Sequence, residues 1–166
     1  MQKFNQMKGL MMKKIVLAFA VILPIALFGA NKKLEVYESP TCGCCEFWAE
    51  YMKKQGYEVI IHKTDDFMKI KEDFNIQPQY QSCHTGVVDG YAIEGHVPND
   101  AVKWLLENKP KDVIGISAPG MPQGSPGMEQ GYEDEEYPVV LLLKDGTSKL
   151  YSYYKGHKPL DKKHIH

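Results

Sequence analysis

The chain has 166 residues, 43% hydrophobic and 25% charged, a balance that fits one ordinary globular domain. Its formal net charge is −1, and all 20 basic residues are lysine. Without arginine there is no bidentate fork for phosphate, which argues against a nucleic-acid reader, and no hydrolase or transferase signature is present.

In chain order, Lys3, Lys8, Lys13 and Lys14 precede an apolar stretch from Ile15 to Phe28. That is short for a spanning helix and right for the apolar region of a secretory signal, so residues 1–30 are expected to be a signal peptide. The alternative is an uncleaved N-terminal anchor, because Leu27 or Phe28 stands where a cleavage site prefers a small residue. No cysteine follows at the position a lipoprotein needs. Without this segment, 16 lysines face 21 acidic residues, a balance of −5. The expected location is therefore the periplasm, with the membrane touched only if the anchor stays.

Residues 31–155 are expected to form the domain. Leu34 to Tyr37 reads as a strand, and Phe47, Trp48, Tyr51 and Met52 then recur at helical spacing up to Gly56. Tyr57 to His62 is a second strand. A helix is expected from the Asp65-Asp66 cap, with Phe67, Ile70 and Phe74 on one face. Thr85 to Val88, the Asp89-Gly90 turn and Tyr91 to Val97 predict a hairpin. Asn99-Asp100 predicts the cap of a helix that buries Val102, Leu105 and Leu106 and stops before Pro110. From Ser117 to Pro138 glycine and proline alternate, ending in an acidic run, which reads as a long loop. Val139 to Leu143 and Lys149 to Tyr154, joined by Asp145-Gly146, predict a C-terminal hairpin, and residues 156–166 a polar tail. The order β, cysteine loop, α, β, α, β, β, α points to an α/β fold with a thioredoxin-like mixed sheet and flanking helices.

Three of the four cysteines, Cys42, Cys44 and Cys45, fall within four residues at the first turn of the first helix; the fourth is Cys83, beside His84. Unpaired backbone N–H groups and the helix dipole favour thiolate there. Several thiolates at such close spacing suit a soft metal better than ordinary bridges, so all four are metal-ligand candidates. A Cys42–Cys45 disulfide, redox or structural, is the lesser alternative. A structural zinc site is another, but it would have to aim the adjacent Cys44 and Cys45 at one ion, whereas adjacent thiolates can bridge soft Cu(I) ions. His84 and His96 are outer-shell or transfer candidates. Met121 and Met128 divide evenly between soft-metal contacts and plain packing. His62, His157, His164 and His166 read as surface residues. In the thioredoxin-like arrangement a cis-proline loop faces the cysteine motif; here Ser82-Cys83-His84-Thr85 stands in its place.

With these motifs in hand, the chain resembles the CopG-type exported copper-resistance proteins, long catalogued as a domain of unknown function. The resemblance runs from about Leu34 to Tyr151. It rests on Ser39-Pro40-Thr41-Cys42-Gly43-Cys44-Cys45, Ser82-Cys83-His84-Thr85 with Val87-Val88-Asp89-Gly90-Tyr91, Glu94-Gly95-His96-Val97-Pro98, and the twice-repeated Pro-Gly-Met. It implies a multinuclear Cu(I) cluster bridged by Cys42, Cys44, Cys45 and Cys83. It further implies periplasmic copper handling with Cu(I)/Cu(II) interconversion, and other copper carriers or efflux components as partners. The alternative of another class is a thioredoxin-like thiol–disulfide oxidoreductase.

Overall fold

The computed structural model describes residues 31–160. The signal or anchor expected over residues 1–30, and His164 and His166, lie outside them. Among the described residues no helix is long and apolar enough to cross a membrane.

Eight strands form one mixed sheet: β1 (Lys33–Glu38), β2 (Glu58–Lys63), β3 (His84–Val88), β4 (Tyr91–Gly95), β5 (Val113–Ala118), β6 (Glu136–Leu143), β7 (Ser148–Lys155) and β8 (Lys158–Pro159). Their spatial order is β2-β1-β3-β4-β5-β6-β7-β8. The β1/β2 and β4/β5 pairs are parallel, and every other neighbouring pair is antiparallel. The helices are α1 (Gly43–Lys54), α2 (Met68–Asp73) and α3 (Asn99–Asn108), with a short 3-10 turn at Pro78–Tyr80.

Strand alternation gives the sheet two faces. Leu34 and Val36 of β1, Ile93 of β4 and Ile116 of β5 bury against α1 and α3, which contribute Trp48, Met52, Ala101, Val102 and Leu105. Ala92 of β4 and Leu142 of β6 bury on a smaller second cluster with Ile76, closed by Phe74 and Tyr80. Trp48 is the largest fully buried side chain, and its indole N–H donates to the Val97 carbonyl at 3.1 Å. Buried indole needs such a partner.

Several expectations shift. Strand β5 falls between the helix that stops before Pro110 and the loop expected from Ser117, in a stretch given no element, where Val113-Ile-Gly-Ile-Ser-Ala118 is a short apolar run with no alternation. The loop is correspondingly shorter, residues 119–135. Helix α2 starts at Met68, with Phe67 already outside it, and the Thr64 hydroxyl accepts from the Asp66 N–H at 3.1 Å. Asn99 does not cap α3; its side chain donates to Gln55 Oε1 at 2.9 Å. Phe47 faces solvent, 67% exposed, because the core stripe of α1 runs through Cys45, Trp48, Ala49 and Met52. At the far end the chain turns back after Lys155, and Lys158–Pro159 pairs with β7 where a free tail was expected.

Candidate metal centre

Strand β1 ends at Glu38 and the chain turns through Ser39-Pro40-Thr41, with the Cys42 N–H donating to the Ser39 carbonyl at 3.2 Å. Cys42 is the N-cap residue of α1, and Cys44 and Cys45 lie in its first turn. Across from them, Cys83 immediately precedes β3, which pairs with β1 so that His84 lies opposite Glu38. The fold thus delivers the helix N-terminus and the β3 entrance to one spot. One sulfur from each of Cys42, Cys44, Cys45 and Cys83 lies within 4.8 Å of all the others.

Cys42 and Cys45 are joined in a disulfide with Cα atoms 5.4 Å apart, the separation that one helical turn provides. The pairing is the one the sequence admitted as an alternative. Cys44 and Cys83 are free thiols, their sulfurs 3.9 Å apart, and Cys44 Sγ lies 3.6 Å from Cys42 Sγ. Burial pushes the Cys83 thiol up to about 12, with nearby Cys44 adding to the effect.

The two histidines are wholly buried beside Cys83. His96 Nδ1 is 2.8 Å from the Pro126 carbonyl, to which it must donate, so its Nε2 presents a lone pair 3.1 Å from Cys83 Sγ. His84 Nδ1 lies 3.4 Å from the same sulfur, and its Nε2 is buried without a hydrogen-bond partner. Burial lowers the pKa of both rings; His96 and Lys71 lower that of His84 further. Neutral imidazole is the form that binds metal. The rings meet edge to face at 5.0 Å, and Trp48 packs on His84 at 4.6 Å.

The loop of residues 119–135 covers the centre rather than hanging free. Ser125, Pro126, Gly127 and Met128 are buried. Gly127 has φ +85, and a Cβ there would stand 2.6 Å from the Trp48 backbone nitrogen and 3.1 Å from the Cys44 carbonyl oxygen. Only glycine allows the loop to lie this close to the first turn of α1. On the other side the Gly120 N–H donates to the Gln81 carbonyl at 3.1 Å, and the Ser82 hydroxyl donates to the Gly120 carbonyl. The methionines separate: Met128 is buried, while Met121 is 56% exposed just after the Gly120 contact.

Of the residues the sequence read as surface, His62 stacks on Tyr37 at 4.7 Å. His157 pairs with Glu129 and packs edge-on against Tyr51. His157 and Glu129 line, with Gly43, Cys44, Phe47 and Tyr51, an open groove of about 580 Å³ beside the thiols.

Sequence reasoning missed Lys71, Thr85 and Glu94, all fully buried behind Cys83. No local pattern marks a lysine on a short helix as buried, and Thr85 and Glu94 stand out only as members of the Ser82-Cys83-His84-Thr85 and Glu94-Gly95-His96 motifs. Glu38 is also wholly buried, with neither carboxylate oxygen hydrogen-bonded, and burial raises its pKa.

Fold and site define a class: thioredoxin-like α/β proteins whose cysteine-bearing helix faces a second thiol and two imidazoles, a donor set fit for a soft metal. A family model described as "Protein of unknown function, DUF411" matches residues 80–128, which hold Cys83, both buried histidines and both loop methionines. Two solved structures of a copper resistance protein CopG are similar. Form 2 is 35% identical with a TM-score of 0.70, covering 75% of this chain and 98% of that one. Form 1 is 36% identical with a TM-score of 0.70, covering 76% and 99%. No curated protein matches. The chain belongs to the CopG copper-resistance family.

Proposed function

We propose that this is an exported copper-binding protein that holds Cu(I) as its cargo on Cys42, Cys44, Cys45 and Cys83, for copper resistance. The observation that carries the reading is the convergence of four sulfurs within 4.8 Å of one another. Soft thiolates select Cu(I), and a bridging thiolate serves two ions at once, so the set suits a multinuclear cluster. The similar structures named copper resistance protein support the metal assignment.

Opening the Cys42–Cys45 bond takes two electrons and two protons from a thiol donor and yields two thiols at the helix N-terminus. There the N–H groups and the dipole stabilise the thiolates that the metal requires. Cys83 gives up its proton to reach the metal, and the lone pair of His96 Nε2 beside it is placed to accept it or to ligate. His84 Nδ1 stands as a further outer-shell group, Met128 as a packed thioether within the covering loop, and exposed Met121 as the transfer candidate. The partners of such a site are copper ions and other copper carriers or efflux components of the periplasm. Redox interconversion of Cu(I) and Cu(II) fits a site that also carries a reducible disulfide.

That disulfide favours a second reading, a thiol–disulfide oxidoreductase. A structural zinc module, the third, gains no further support from the geometry. One experiment separates them: reduce the purified protein anaerobically, supply Cu(I), and measure metal per chain with X-ray absorption at the copper edge. More than one copper per chain with sulfur neighbours is expected. No bound copper, together with a Cys42–Cys45 bond that cycles against a thiol substrate, gives the site to the oxidoreductase.

A further inference from the structure

Helix α2 buries one residue only, and that residue is Lys71. Its ammonium donates to Glu94 Oε1 at 2.6 Å and to Thr85 Oγ1 at 2.9 Å, with both ion-pair side chains fully buried. The Thr85 hydroxyl donates to Glu94 Oε2 at 2.6 Å, and the Ser82 backbone N–H donates to Glu94 Oε1 at 2.6 Å. Both carboxylate oxygens are therefore in use, and they grip the chain on either side of Cys83-His84. Next to Glu94, Gly95 has φ +72, and a Cβ there would lie 2.5 Å from Ser82 side-chain atoms. Ser82 is thus held from above by a carboxylate and seated from below on bare backbone.

A buried ion pair is a poor source of stability: desolvating both charges offsets most of their attraction, and well-packed apolar side chains often serve as well. What closed, fully bonded geometry supplies is position. We propose that the Lys71–Glu94 pair is a positioning device: it fixes the Ser82–Thr85 turn so that the Cys83 sulfur faces Cys44 and His96. The inference rests on the copper reading for its purpose, though not for its geometry. Glu94 and Lys71 touch no sulfur; they act through the backbone that carries Cys83.

The test compares three full-length chains: the native one; Lys71→Met/Glu94→Leu, which exchanges the charges for apolar bulk; and Lys71→Met/Glu94→Gln, which keeps an acceptor for the Ser82 N–H. Amide exchange of Ser82 is followed in the reduced, metal-free protein, and Cu(I) release to bathocuproine disulfonate in the loaded one. Ser82 is expected to be protected in the native and glutamine chains, and to exchange at least about tenfold faster in the leucine chain. Copper release is expected to be about 10–100-fold faster from the leucine chain, the usual cost of losing an outer-shell support, with the glutamine chain restored towards native. A leucine chain that melts cooperatively and matches the native one in both measurements overturns the proposal. If that chain does not fold, the native protein decides: a Ser82 amide exchanging as freely as an exposed loop amide overturns it, and a protected one supports it. A native chain that takes up no copper refutes the copper reading, while the exchange measurement still judges the clamp.

Discussion

The two walls of the thiol centre are built on opposite plans. The α1 wall presents Cys42, Cys44 and Cys45 at a helix N-terminus, with a disulfide across one turn and an open groove beside it. The β3/β4 wall presents Cys83 between two wholly buried imidazoles, with a closed ring of charged hydrogen bonds behind it. The first wall is chemically changeable, because it carries a reducible bond beside the free thiol of Cys44. The second is geometrically fixed. On the copper reading proposed above, the first wall would open to exchange while the second keeps the address.

The sharpest test of this contrast is on the changeable wall. Cys44→Ser removes the free thiol that lies 3.6 Å from Cys42 Sγ and 3.9 Å from Cys83 Sγ. Copper retention measured against a Cu(I) chelator is expected to weaken by more than about 100-fold, beyond the loss of an outer-shell partner. An unchanged copper content would take Cys44 out of the site. On the fixed wall, His96→Gln removes the Nε2 lone pair, and a loss of about 10–100-fold is expected in the same assay, with little change in melting temperature.

The lid that joins the walls comes next. Gly127→Ala forces a methyl onto the Trp48 amide at a φ that side chains avoid, and a loss of about 1–3 kcal/mol is expected in chemical unfolding. Smallest is a pH effect in the metal-free protein with its Cys42–Cys45 bond intact. Burial holds the Cys83 thiol at about 12, above its ordinary value of 9.0, so the folded chain keeps a proton that the unfolded chain releases. That contribution to stability is complete below pH 9 and declines as pH rises towards 12. Alkylation of Cys83 should correspondingly be slow at pH 8 and climb by about tenfold per pH unit. A rate at pH 8 equal to that of an unfolded cysteine would erase the distinction between the walls.

Much of this was legible in the residues, and for identifiable reasons. The strand, cysteine turn and helix at the start declare themselves through local pattern, as does the Asp89-Gly90 hairpin, where Asp89 has φ 48. The close spacing of Cys42, Cys44 and Cys45 announces chemistry by itself. Strand β5 escaped notice because its residues, apolar and in mid-sheet, carry no alternation to distinguish them from a buried connection. Lys71 escaped because burial of a charged side chain depends on a partner that sits 23 residues away in another strand. The loop signalled itself by glycine and proline, but its packing over the thiols is set by long-range contacts that composition does not encode. Met121 and Met128, alike in sequence context, end in different surroundings for the same reason.

The seat of Gly127 against the first turn of α1 has a consequence for the order in which the protein is completed. All four cysteines precede residue 84, yet the backbone that covers them arrives more than forty residues later, and the carbonyl that orients His96 belongs to Pro126. A growing chain therefore exposes its sulfurs before it owns the covering loop and the fixed imidazole that finish the site. Contacts so distant in sequence form late, after their loop-closure cost is met. In every molecule made, the thiols are thus present for an interval without the loop that covers them.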